Sequence, residues 1–386
     1  MKRVPPFRSL DAIRGFAALW VVFYHSAGPW LITHPAYDGS PLYAVSIHGQ
    51  LGVVIFFVIS GYCITAAAFG ALVTGKPVLR YFYERARRIY PPYLAALLLG
   101  IAFDAAILYA QGHHLIPPVH HPHTYTLSPR YWLGNLLIIQ SELRVPTSNL
   151  VFWSLSYEVV FYVFIGLFLF LARKVSIKHG LPGGILCFVS SLGISTLLTL
   201  AYMSIARVAI FPFDLWHQFS FGGLLFFFLE SIKGPLTGYS QRLRQIVWAN
   251  CLAVTLLTLF FIAFREVGFI DIGHPSSKLR SSLTLLFCLF LLLLRPYDEK
   301  ISTHLSMRPW MWLGAFSYSI YLFHSIIIPA VDIISRRLGL DGSKYWLTVL
   351  IQVAVGVAAG RIMFLLVERH FISNRQKQRL VSEHVV

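Results

Sequence analysis

The sequence predicts an all-α, polytopic integral membrane protein with about ten transmembrane helices and both termini in the cytoplasm. Three observations carry that prediction. The 386 residues are 56% apolar and only 12% charged, too hydrophobic for a soluble globule and too charged for a simple anchor. Apolar stretches of membrane-crossing length, roughly 17–25 residues, recur along the chain. The basic residues are shared unequally between alternate connections, which orients the chain in the bilayer.

In order, the predicted spans are 10–27, 49–72, 89–110, 150–171, 185–206, 215–232, 246–264, 281–294, 310–331 and 345–367. The first follows a short basic start but holds Asp11 and Arg14 and lacks a small-residue cleavage pattern, so it reads as a retained helix. The second carries Ser60 and Gly61, whose small size permits close helix approach. Arg85, Arg87 and Arg88 stand at the entrance of the third, ahead of Pro91-Pro92, and the fourth contains a single carboxylate, Glu158. The eighth is the shortest. Helices use nearly all of the length, which predicts one integral domain over 1–372 and a basic cytoplasmic tail over 373–386.

With the N-terminus in the cytoplasm, that side carries 21 of the 32 Lys and Arg residues and the other side 9, while Arg14 and Arg361 fall inside spans. Basic loops facing anionic lipid therefore account for the net charge of +16, and no nucleic-acid partner is expected. Cys63, Cys187, Cys251 and Cys288 all fall in spans without a CxxC pattern, so neither a disulfide framework nor a zinc site is indicated. His113, His114, His120, His121 and His123 crowd one external loop. No carboxylate or cysteine accompanies them and the prolines between restrict how they converge, so no metal is predicted there.

The most informative pair is Arg14 and His25. Eleven helical steps return to nearly the same face about 16 Å further along, so both can line one cavity. Ionisable groups in hydrocarbon are costly unless paired or hydrated, which makes a functional site the default reading. The structural alternatives are a histidine bonded to a backbone carbonyl and an arginine paired with Asp11, three residues away on the same helix. Ser154 lies one turn before Glu158 on its face, and Ser317, Tyr321 and His324 share a face of the ninth span. His324 is then a second proton carrier or a positioning group. A secondary transporter would also use membrane Arg, His and Glu, but the two halves of the chain show no repeat.

Five stretches, in order, resemble the membrane-bound acyltransferase 3 family, bacterial enzymes that acylate cell-surface and secreted carbohydrates. They are Arg8-Ser-Leu-Asp-Ala-Ile-Arg14 with His25, Gly52-Val-Val-Ile-Phe-Phe-Val-Ile-Ser-Gly-Tyr62, Arg85-Ala-Arg-Arg-Ile-Tyr-Pro-Pro-Tyr93, Trp153-Ser-Leu-Ser-Tyr-Glu158 and Phe316-Ser-Tyr-Ser-Ile-Tyr-Leu-Phe-His324. The resemblance implies transfer of an acyl group, usually acetyl, from cytosolic acyl-CoA to a carbohydrate hydroxyl of an exopolysaccharide, lipopolysaccharide or lipid-linked glycan at the bacterial cytoplasmic membrane. It implies that Arg14 and His25 are both needed and places Glu158 in the active region. Chemistry agrees, because an imidazole suits removal of a hydroxyl proton near neutral pH, with direct transfer and an acyl-histidine relay both open. Arg14, Arg85, Arg87 and Arg88 are the expected phosphate-binding residues for acetyl-CoA, and Ser60, Ser154, Ser317, Tyr321 and His324 the expected cavity lining. The third stretch departs from the family, whose members commonly start it with two adjacent arginines where this chain has Arg85-Ala86. Membrane-flanking arginines also serve simply to fix topology.

Overall fold

A computed structural model describes residues 7–32, 41–116, 128–206, 211–233, 235–264, 277–340 and 342–373. Among them it is all-helical. The helices are α1 (Ser9–Ile32), α2 (Pro41–Ile47), α3 (Gly52–Val73), α4 (Val78–Gly112), α5 (Pro129–Leu137), α6 (Trp153–Ala206), α7 (Trp216–Lys233), α8 (Gln241–Phe264), α9 (Ser277–Leu294), α10 (Asp298–Thr303), α11 (Arg308–Ala315), α12 (Ser317–Arg337), α13 (Tyr345–Met363) and the single turn α14 (Arg369–Phe371). Between α13 and α14 the chain winds as a π-helix over Phe364–Glu368. Seven of the described helices are long and apolar enough to cross a membrane, which makes this a multi-pass membrane protein.

All ten predicted segments fall on helices, with instructive differences. The fourth and fifth join in the 54-residue α6, broken at Gly180, whose φ of 73° is open to glycine and costly to other residues. The ninth begins later than expected. Residues 308–315 form α11 separately, and Phe316, at φ −124° and ψ 22°, turns the chain before α12 starts at Ser317. The segments on α1 and α7 are helical but are not among the seven that meet the hydropathy requirement. Most of the predicted tail, together with His120, His121 and His123, lies outside the described residues.

Cα proximity divides the chain into two compact units. The described residues within Met1–Arg8, Val54–Arg85 and Tyr157–Lys300 form the first, and those within Ser9–Val53, Ala86–Ser156 and Ile301–Val386 form the second. In the first, α3 and α7 cross at glycines. A Cβ on Gly61 would strike the Phe219 carbonyl, and one on Gly222 the Val58 carbonyl. Phe219 fills the crossing by stacking on Phe57 (4.3 Å) and Phe161 (5.0 Å). Gly61→Val therefore forces these backbones apart. The expected loss is at least the 1–3 kcal/mol typical of overpacking, read as a lower melting temperature in detergent.

In the second unit, α1 packs on α11, α12 and α13. Gly314 lies against the Asp11 carbonyl and Gly15 against the Trp310 carbonyl. On α13, a Cβ on Gly360 would come within 2.8 Å of the Ile320 Cα, so these two helices also approach at backbone distance. Arg361, the second basic residue within a predicted span, sets its guanidinium over the rings of Trp312, Phe316 and Phe364 at 5.5–5.6 Å. Cation–π attraction of this kind helps a charge reside among apolar helices.

Candidate active site

The close approach of α1, α12 and α13 brings two imidazoles together. His25 Nδ1 lies 2.8 Å from His324 Nε2, with the rings nearly parallel, 22° apart. His324 is fully buried at 0% exposure, whereas His25 is partly exposed. The other nitrogen of His324, Nδ1, faces the Ile320 carbonyl oxygen at 3.0 Å. A carbonyl only accepts, so His324 Nδ1 carries a hydrogen. In the neutral ring Nε2 is then an acceptor, and His25 Nδ1 must be the donor. The geometry thus assigns the lone pair of His25 to Nε2. Two doubly protonated rings would set N–H against N–H at this contact, so the pair holds at most one added proton.

A polar layer surrounds the pair within the same unit. Tyr321, whose ring centroid is 6.0 Å from that of His324, places its Oη 2.7 Å from Ser154 Oγ. Both hydroxyls also reach the Val151 carbonyl, at 3.2 and 3.0 Å. Ser325 donates to Asn149 Oδ1 at 2.7 Å, and Tyr345 donates to the Ser26 carbonyl at 2.8 Å. These bonds fix the helices on both sides of the imidazoles. Ser317 donates to the Gly314 carbonyl at 3.0 Å, joining α12 to the end of α11.

Arg14 stands on α1 nearer its start. Its charge and that of Arg88 both act on Glu368, Arg88 more strongly, and Glu368 is 3% exposed and accepts a 2.6 Å hydrogen bond from Ser319 Oγ. Sequence reasoning missed Glu368 and Ser319. The available signal was a carboxylate closing a long apolar segment just before Arg369. Arg87 Nη2 is 3.5 Å from the His370 carbonyl.

The remaining expected site residues belong to the first unit. Glu158 accepts a hydrogen bond from Tyr162 Oη at 2.8 Å. The charges of Glu158 and Arg85 both act on Tyr81, whose hydroxyl points at the Tyr162 carbonyl. Ser60 is partly buried on α3. The arginine cluster is therefore divided, Arg85 in the first unit and Arg87 and Arg88 in the second. Of the histidine-rich loop, His113 and His114 are described, and the ring of His113 lies 4.3 Å from that of Tyr109.

The described chain is thus a helical, multi-pass membrane protein with a histidine pair packed between its helices. The family model for the acyltransferase domain matches residues 7–367, and the chain belongs to this acyltransferase 3 family. It is similar to the acyltransferase MdmB of Streptomyces mycarofaciens, 25% identical over 95% of this chain and 92% of that protein. It is also similar to the O-acetyltransferase OatA of Staphylococcus aureus, 25% identical over 84% of this chain. The chain spans about half the length of OatA, 51%. No solved structure matches it. The family match accounts for the motifs that a transporter would leave unexplained.

Proposed function

We propose that the protein transfers an acyl group, acetyl in the simplest case, from cytosolic acyl-CoA to a carbohydrate hydroxyl presented at or across the bacterial cytoplasmic membrane. The observation that carries this reading is the 2.8 Å contact between His25 and His324, which leaves a basic nitrogen on a partly exposed ring. His25 Nε2 takes the proton as the acceptor oxygen attacks the thioester carbonyl. The resulting imidazolium is stabilised through Nδ1–H by His324 Nε2, in the way a buried partner orients the imidazole of a hydrolase triad. The ester forms, the carbon–sulfur bond breaks, and the proton passes from His25 to the departing thiolate of CoA.

Arg14, about 16 Å along the helix from His25, is placed to hold a phosphate or pantetheine oxygen while the thioester reaches the imidazole. Arg85, Arg87 and Arg88 supply further positive charge for the nucleotide, and Glu158 orients the acceptor. Ser154, Ser317, Tyr321 and His324 line or brace the surroundings of the imidazoles, and Ser60 is a further lining residue on α3. On this reading the chain crosses about ten times with both termini cytoplasmic, the arginines face the CoA side and His25 lies toward the outer half of the membrane. Residues 1–372 act as one catalytic domain with a basic tail over 373–386. No metal takes part.

The test is transfer across a sealed bilayer. Proteoliposomes loaded with a membrane glycan extract receive labelled acetyl-CoA outside, and label is expected on the enclosed glycan only when the arginine-bearing face of the protein is outward. Label that stays on CoA in both orientations, with every acyl-CoA tried, would overturn the reading.

A further inference from the structure

Among the buried groups the proposed reaction leaves unused, Glu368 is the most demanding. Two hydrogen-bonded neighbours tie it to its place. Ser319 Oγ donates to Oε2 at 2.6 Å, and Tyr318, the residue before, donates to the Ile89 carbonyl at 3.1 Å and so joins α12 to the turn of α4 that carries Arg88. Glu368 ends the π-helical stretch Phe364–Glu368. That winding differs from the α-helical repeat, and such insertions concentrate at functional sites. A carboxylate buried to 3% exposure is expensive without compensation, and the Ser319 hydrogen bond with the charges of Arg88 and Arg14 offsets part of that cost.

We propose that Glu368 is a positioning residue which, held by Ser319, fixes Arg14 and Arg88 as a pair that receives one anionic phosphate of the donor. The charges decide this. Two guanidiniums repel each other strongly where the dielectric is low, and a carboxylate between them keeps them together. One carboxylate against two arginines leaves a net positive charge. Ser319 satisfies Oε2, which leaves the other carboxylate oxygen to attract positive charge, and guanidiniums with five N–H donors each keep donors for an incoming anion. Arg14 comes from α1, Arg88 from α4 and Glu368 from the end of the π-helical stretch after α13, so the site exists only when the second unit is folded.

The inference rests on the acyl-CoA reading, so its test separates the two. Binding of CoA alone, without acceptor, is measured on full-length protein in nanodiscs, followed by KM and kcat with acetyl-CoA and glycan extract. Glu368→Gln is expected to raise the CoA dissociation constant and the donor KM at least tenfold while kcat stays within about threefold, since phosphate contacts act equally on ground and transition states. Glu368→Asp, which keeps the charge, is expected to recover most of the affinity. Ser319→Ala, which frees the carboxylate, should show a smaller KM rise in the same direction. Should Glu368→Gln fail to fold, the aspartate and Ser319 variants decide by the same readout. Unchanged CoA binding in every folded variant, or a loss confined to kcat, overturns the assignment of Glu368. Failure of the wild type to bind CoA at all overturns the donor reading instead.

Discussion

Replacing His25 by alanine is expected to lower kcat for acyl transfer by at least about 10³-fold with little change in donor KM. General-base help alone is worth about 10²–10⁴ in rate. Among the described residues no other imidazole stands where His25 Nε2 does: His324 is fully buried behind it, with Nδ1 held by the Ile320 carbonyl. The measurement is incorporation of labelled acetyl into glycan, with CoA binding followed in parallel to show that the donor site survives. Loss of CoA binding together with rate would assign His25 to donor recognition rather than proton transfer.

The second large effect is on its partner. His324→Ala removes the group that accepts from His25 Nδ1, so His25 can rotate or adopt the other tautomer, and its imidazolium loses a stabilising acceptor. Orienting groups of this kind are worth up to about 10⁴ in kcat where a tautomer depends on them. A fall of about 10²–10³-fold in kcat is expected. Part of the deletion's effect on stability is a cavity, since His324 is fully buried with Gly356 against its Cβ. His324→Gln separates the two contributions. Its amide oxygen can accept near the position of Nε2, so it should recover a good part of the rate even where the melting temperature stays low, whereas a purely structural role predicts that kcat recovers only as far as the melting temperature does.

Much of this was legible from residue spacing. The helical period placed Tyr321 and His324 on one face, and the same period put Arg14 and His25 on one face of α1. What spacing could not supply was the partner across helices. Asp11 is the local candidate for Arg14, and the charge of Arg14 also acts on Glu368, at the far end of the chain, which local spacing does not reach. Glu368 was hidden because a carboxylate next to Arg369 at the close of an apolar run looks like an ordinary membrane-flanking charge, and no hydropathy pattern announces a π-helix. Hydropathy also does not register where contacts regroup. The helices α3, α4 and α6 each contribute residues to both compact units. Ser317 shows the limit on a smaller scale. It shares a face with Tyr321 and His324 by period, but sits on the first turn of α12, where its hydroxyl finds the carbonyl of Gly314.

The most direct test of the central claim is release of free CoA thiol by the purified protein in nanodiscs supplied with acetyl-CoA, with and without membrane glycan extract, wild type beside His25→Ala. Release that requires both the glycan and His25 is the predicted result. Equal release by the two proteins, or release indifferent to glycan, would contradict a transfer to carbohydrate driven by this imidazole.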